Sequence, residues 1–220
     1  MSLRICREIT RPNPKLLQAF REIPTSIASD AMNRMQAMSG EIKALRCPVK
    51  ISGPAVTVQS LPGDNLAIHH AIYAAKKGDI LVIQGRGSRD IAIFGFIATE
   101  ACRAVGIQGA VIDGAIRDSR QIAESNFPVF SLGTCPAGPH KGWGGDINRS
   151  ISCGGVSVNP GDIVLGDDDG VVVIPRESAS RVLEESLQLI AKEQSWLKAL
   201  AQGTTTLELF GLNVKVEEIA

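Results

Sequence analysis

The sequence predicts a layered α/β protein built on a mixed sheet, and three observations predict it. The first is a helix–strand unit in mid-chain: the helical stretch Ala98–Val105 runs through Gly106 to the β-branched run Ala110–Asp113. The second is Ile80–Gln84, an apolar run of the kind buried on both faces of a sheet. The third is a series of short β-branched segments, Val156–Val158, Ile163–Leu165 and Val171–Ile174. Turns at Asn159–Asp162 and Gly166–Gly170 separate them, so they read as consecutive hairpin strands.

The remaining elements follow in order. From Pro14, apolar residues at Leu16, Leu17, Phe20, Ile23, Ile27, Ala28 and Ala31 have helical spacing, and Thr25 or Ser26 is placed to cap a second short helix. Val49–Gly53 and Ala55–Gln59 alternate as strands. Leu61–Asn65 is a turn leading into a helix, Leu66–Ala75, which carries His69 and His70. Gly85–Asp90 reads as a polar loop whose Gly-x-Gly is too short to cradle phosphate. A helix near Ser119–Ser125 and a strand at Pro128–Ser131 follow. The glycine-rich loop Thr134–Arg149 is of the kind that more often carries function than decoration. Glu177–Ala201 is one long amphipathic helix, and Thr204–Ile219 is a mixed tail suited to packing on a neighbouring subunit.

Composition narrows the function. With 220 residues, 44% hydrophobic, the chain can bury a sizeable core as one domain, with a body over about 23–175 and a helix and arm over about 177–220. Lys+Arg and Asp+Glu balance at 23 each, and aromatics make up only 4%, which argues against direct nucleic-acid binding. Five scattered cysteines without a CxxC are neither a disulfide framework nor a zinc site, and point to a reducing cytoplasm. No run approaches the ~20 apolar residues of a membrane span, and the first residues lack a signal peptide's apolar core. A soluble, cytoplasmic protein is expected.

The candidate chemistry lies at Arg117-Asp118, just past the central strand, where open α/β sheets bind ligands. A guanidinium forks onto carboxylates, and a neighbouring carboxylate is a hard ligand for Mg²⁺ or Mn²⁺. An ordinary surface ion pair or helix cap accounts for the same two letters. Gly95-Phe96-Ile97-Ala98 opens a helix whose first N–H groups can receive an anion, or is a plain loop-to-helix start. Asp167-Asp168-Asp169-Gly170 lacks the remaining ligands of a calcium loop and reads as a hairpin turn. His69, His70 and His140 have no metal-ligand spacing, and Cys102 and Cys153 lack a basic partner that would activate them.

Gly95…Arg117-Asp118, with Phe127–Phe130, Val158–Asp162 and Asp167–Pro175, resembles the RraA-like family. That family includes the 4-hydroxy-4-methyl-2-oxoglutarate aldolases and the regulator of ribonuclease activity A. The resemblance runs from about Ile23 to Leu200. It implies an α/β/β/α sandwich related to swivelling phosphohistidine domains, with a long C-terminal helix, assembled as trimers or hexamers. It implies a divalent-metal-dependent lyase that releases pyruvate from a 4-hydroxy-2-oxo acid and decarboxylates oxaloacetate, or alternatively a non-catalytic regulator of an RNA-processing enzyme. Carried over by position, the Ile97 and Ala98 amides in the Gly95–Ala98 turn would hold the substrate carboxylate. Arg117 would clamp the 2-oxo acid, Asp118 would bind the metal, and Glu193 would serve a neighbouring subunit's site. Two acids of the aldolases are replaced, by Phe96 and Gln121, and Glu100 is placed one turn on to compensate for the first.

Overall fold

The computed structural model of the chain describes residues 2–212 together with Val214 and Val216. The tail expected to act as an arm over Thr204–Ile219 thus lies partly outside the described residues, at Asn213, Lys215 and 217–219. The strands are β1 (Leu3–Ile5), β2 (Lys43–Ala44), β3 (Ile51–Ser60), β4 (Ile80–Phe94), β5 (Gly109–Ile116), β6 (Val129–Thr134), β7 (Gly145–Ile147), β8 (Ile151–Cys153), β9 (Val156–Val158), β10 (Ile163–Asp167) and β11 (Gly170–Ile174). The helices are α1 (Pro14–Phe20), α2 (Thr25–Ala31), α3 (Leu66–Ala74), α4 (Phe96–Val105), α5 (Ser119–Glu124), α6 (Ala179–Ala201) and α7 (Thr206–Phe210).

β3 belongs to two sheets. Its second half runs parallel to β4 and begins the order β1-β7-β3-β4-β5-β6-β2, while Ile51–Pro54 pair antiparallel with β10, which pairs in turn with β11. Four layers result. Helices α3, α4 and α5 cover one face of the larger sheet through Ile68, Ile72, Cys102 and Ile122, against Val58, Ile83 and Ile112. The other face packs on β8 to β11 through Val82, Val111, Phe130, Val158 and Val173. Helices α1, α2 and α6 close the outer side through Phe20, Ile27 and Val182 on Leu165 and Ile174. The chain is thus an α/β/β/α sandwich with a long C-terminal helix, as the resemblance implies.

Burial decides why the first part of β4, Ile80–Ile83, and of β5, Ala110–Ile112, read as unbroken apolar runs: these residues are covered on both faces, so both sides of each strand must be apolar. Helix α4 ends where Gly106 takes φ 86°, a left-handed conformation glycine adopts without penalty, and its N–H caps the Cys102 and Arg103 carbonyls.

Three local expectations are corrected. Gly85–Asp90 lies inside β4, as a bulged excursion: Ile83 pairs with Ile112 and Ser88 already with Gly114, so β4 carries residues its partner lacks. The three short strands are not one meander, because β9 pairs with β8 whereas β10 pairs with β11 and β3. Neither Thr25 nor Ser26 caps α2. Pro24 holds the cap position, and the Asp167 carboxylate takes the Thr25 N–H and hydroxyl at 2.9 and 2.6 Å. Below the sheet, Asp79 is almost fully buried yet satisfied by both Arg11 nitrogens at 2.8 and 2.6 Å and by the Lys76 N–H.

Candidate active site

Strands β4 and β5 end side by side, and the chain leaves each at a turn that lines one cleft. After β4, Gly95 is extended and α4 begins at once. The Phe96 N–H is taken by Asp118 Oδ2 at 3.1 Å. The regular helical bonding starts with Thr99 N–H to the Gly95 carbonyl at 3.0 Å, which leaves the Ile97 and Ala98 N–H groups without an acceptor among the described residues. Two free amides at the positive end of a helix are suited to an anion.

After β5, the Arg117 N–H closes on the Phe94 carbonyl at 2.9 Å, tying the two strand ends together. Asp118 then takes φ 60°, a left-handed conformation that a residue with a Cβ adopts at a cost. Its carboxylate turns away from helix α5, which it does not cap, and towards Phe96 and Arg117, whose Nε lies 3.6 Å from Oδ2. The guanidinium needs room on both sides. A Cβ at Gly95 would stand 2.7 Å from Asp118 Oδ2 and 3.0 Å from Arg117 Cγ, and one at Gly138 would stand 2.5 Å from Arg117 Nη1. A side chain at either position would push the Arg117-Asp118 pair out of this arrangement, so glycine at both lets the pair sit where it does.

These groups line a cleft of about 210 Å³, whose other walls are Asn65 and His69 from the start of α3 and Pro139 and Lys141 from the glycine-rich loop. That loop is fixed by Asp64, which is fully buried: Oδ2 accepts from the Gly142 and Trp143 N–H groups at 2.7 and 3.1 Å, and Oδ1 from Leu66 N–H at 2.9 Å. The Asn65 N–H bonds the His140 carbonyl, and the His140 N–H bonds Gly63. Asn65 Oδ1 and His69 Nε2 are buried without a hydrogen-bond partner among the described residues. Burial first, then the charge of Lys141 and the neighbouring His70, pushes the His69 imidazole below the usual histidine range, so it is neutral at pH 7.

The structure brings Gly95, Ile97, Ala98, Arg117 and Asp118 into one cleft. Glu193 is not among them: it is exposed on α6, whose buried face packs on α1 and α2 in the opposite outer layer. Phe96 turns its ring to the core beneath α4, and Gln121 is exposed on α5 without lining the cleft. Glu100 pairs with Arg103 at 2.8 Å and does not face the cleft. His140 stacks on Trp143 instead of approaching Arg117. Burial lifts the Cys102 thiol to about 12 and raises Cys153 further, so both are inert as nucleophiles. Asn65, His69, Lys141 and Gly138 were not expected here, because only the fold joins the α3 turn and the glycine loop to Arg117. The one sequence signal was the density of glycine and polar residues over Thr134–Arg149.

Among the described residues, no group of three or more His, Cys, Asp or Glu side chains converges as a metal cage. Asp118 is the acidic side chain lining the cleft. One hard carboxylate fits a Mg²⁺-type ion that keeps most of its water and gains further oxygens from a chelating substrate.

A four-layered α/β sandwich with a helix start of two unpartnered amides and an Arg-Asp pair at adjacent strand ends is the arrangement the family comparison can be set against. The profile of the RraA-like family (Aldolase/RraA) matches residues 25–173, and the chain belongs to that family. A Halalkalibacterium halodurans protein provisionally named as a 4-hydroxy-4-methyl-2-oxoglutarate aldolase is 40% identical over 191 residues, 87% of this chain and 91% of that one. Among solved structures, Streptomyces coelicolor RraAS2, described as an unusual member of the RNase ES inhibitor RraA family, superposes with a TM-score of 0.77. It is 28% identical, over 86% of this chain and all of the other. The RNA-processing inhibitor RraA from Thermus thermophilis superposes at 0.65 and 25% identity, over 70% of this chain and 93% of the other. No helix among the described residues is long and apolar enough to cross a membrane.

Proposed function

We propose that the protein is a divalent-metal-dependent carbon–carbon lyase that cleaves a 4-hydroxy-2-oxo acid to pyruvate and also decarboxylates oxaloacetate. The observation that carries this reading is the Arg117-Asp118 pair held beside the unpartnered Ile97 and Ala98 amides. The aldolase name of the Halalkalibacterium relative supports it.

In this reading the Ile97 and Ala98 N–H groups receive the substrate carboxylate, with the Gly95 turn letting it approach. Arg117 clamps the 2-oxo acid and stabilises negative charge on the 2-oxo oxygen as the enolate forms. Asp118 would hold the Mg²⁺ or Mn²⁺ ion, which would supply Lewis-acid polarisation of the ketone. Lys141, on the far wall, offers a cation to a second carboxylate. Glu193 acts from the α6 helix of a neighbouring protomer in a trimer or hexamer, since its own chain holds it in the opposite layer.

Pyruvate release from 4-hydroxy-4-methyl-2-oxoglutarate and from oxaloacetate, measured with Mg²⁺ or Mn²⁺ and again with excess EDTA, tests the reading. Release above the free-metal background that EDTA abolishes supports it, and no release with either substrate overturns it. A second reading, a non-catalytic regulator that contacts an RNA-processing enzyme, is favoured by the replacement of two acids by Phe96 and Gln121 and by the RraA structures. Partner binding of that kind would survive Asp118→Ala and chelator.

A further inference from the structure

A lyase of this kind must move a proton twice, and the cleft offers few groups for it. Arg117 and Lys141 are the cations that would bind the substrate's negative charge, while Asp118 accepts from the Phe96 N–H, lies beside Arg117 and is the oxygen ligand left for the metal. The positions at which the resemblance implies further acids hold Phe96, packed on the core, and Gln121, outside the cleft. In the same cleft as the Arg-Asp pair, His69 Nε2 is buried with no hydrogen-bond partner among the described residues. The His69 backbone N–H already bonds the Asn65 carbonyl at 3.2 Å, so the ring contributes no hydrogen bond to holding α3.

Resting on the lyase reading, we propose that His69 is the proton carrier of the cleavage, a catalytic residue facing the Arg117-Asp118 pair across the cleft. Nε2 takes the proton of the substrate's C4 hydroxyl. The O–H electron pair becomes the new carbonyl bond, the C3–C4 bond breaks, and its electrons form the enolate of pyruvate. The imidazolium then returns the proton to C3, so pyruvate and the second carbonyl product leave and the imidazole is neutral again. The charged and titratable groups around the ring are Lys141 from the loop, His70 from its own helix, and Arg117 and Asp118 from the end of β5. Burial first, and then the charge of Lys141 and His70, holds the ring below the usual histidine range, which favours the neutral form a base requires.

The test is exchange of the methyl protons of pyruvate in deuterated water with Mg²⁺, followed by NMR, because it reads the returning half-step without the physiological substrate. His69→Ala and His69→Gln should each lower exchange by about 100-fold and remove the acid limb of the pH–rate profile. Affinity for oxalate, which mimics the enolate, should stay within about twofold. Added imidazole should restore exchange to His69→Ala, and His70→Ala should behave as wild type. Exchange retained in both His69 variants overturns the assignment of His69 alone. A loss that imidazole does not restore, accompanied by weakened oxalate binding, also overturns it, in favour of a packing role. No exchange in the wild-type protein overturns the lyase reading and this proposal together.

Discussion

Two acidic turns sit at strand ends in this chain, and they have opposite fates. Asp167-Asp168-Asp169 looks the more like a metal loop in sequence, yet its oxygens are largely consumed by the fold. Asp167 takes the Thr25 N–H, the Thr25 hydroxyl and the Asp169 N–H, while Asp168 takes the Val49 N–H. Asp118 stands alone, in a costly left-handed conformation, and spends one oxygen on one amide. Charge density points to the turn whose oxygens the fold takes up, whereas unspent hydrogen-bonding capacity, combined with strain, points to the turn of the proposed site.

The comparison breaks most decisively at Arg117. Arg117→Ala should lower pyruvate release by about 10³-fold, with the melting temperature unchanged, since the side chain is substantially exposed and its loss removes charge stabilisation only in the site. As a reference for a purely structural ion pair, Arg11→Ala should cost about 3 kcal/mol in denaturant unfolding, because Asp79 would be left buried and uncompensated. The two acidic turns should then separate. Asp167→Ala should cost about 1–2 kcal/mol, because the buried Thr25 N–H and hydroxyl at the start of α2 lose their acceptor, and leave turnover intact. Asp118→Gly should gain up to about 1 kcal/mol by relieving the left-handed backbone while abolishing metal-dependent turnover. Equal stability changes in these two variants would refute the contrast.

The smallest effect concerns pH. The folded protein holds His69 below its ordinary value of 6.5, so this contribution to stability is fully present above 6.5. It declines as the pH falls from there towards the folded value, because the unfolded chain binds a proton that the folded one refuses. His69→Asn should flatten that part of the stability–pH curve, measured by urea midpoints.

Much of the sheet was legible because the first part of β4 and of β5 is buried on both faces and α6 has one apolar stripe. The pairing partners were not: β8 is three residues long, and whether β10 joins β9 or β3 depends on how β3 crosses from one sheet to the other. At the site, Arg117, Asp118 and the Gly95–Ala98 turn could be read because they flank one helix–strand unit. Asn65, His69, Lys141 and Gly138 could not, since they reach the cleft through the Asp64 clasp, a contact across nearly eighty residues.

That clasp also equips the protein with an optical probe. Asp64 pins the amide of Trp143, whose indole stacks on His140 at 4.8 Å beside the Lys141 wall. The second tryptophan, Trp196, lies against Phe210 on the far layer. In a Trp196→Phe background, the emission of Trp143 becomes a label-free signal from the loop that roofs the cleft. The quenching histidine at its side makes that signal sensitive to small shifts of the roof as a ligand enters.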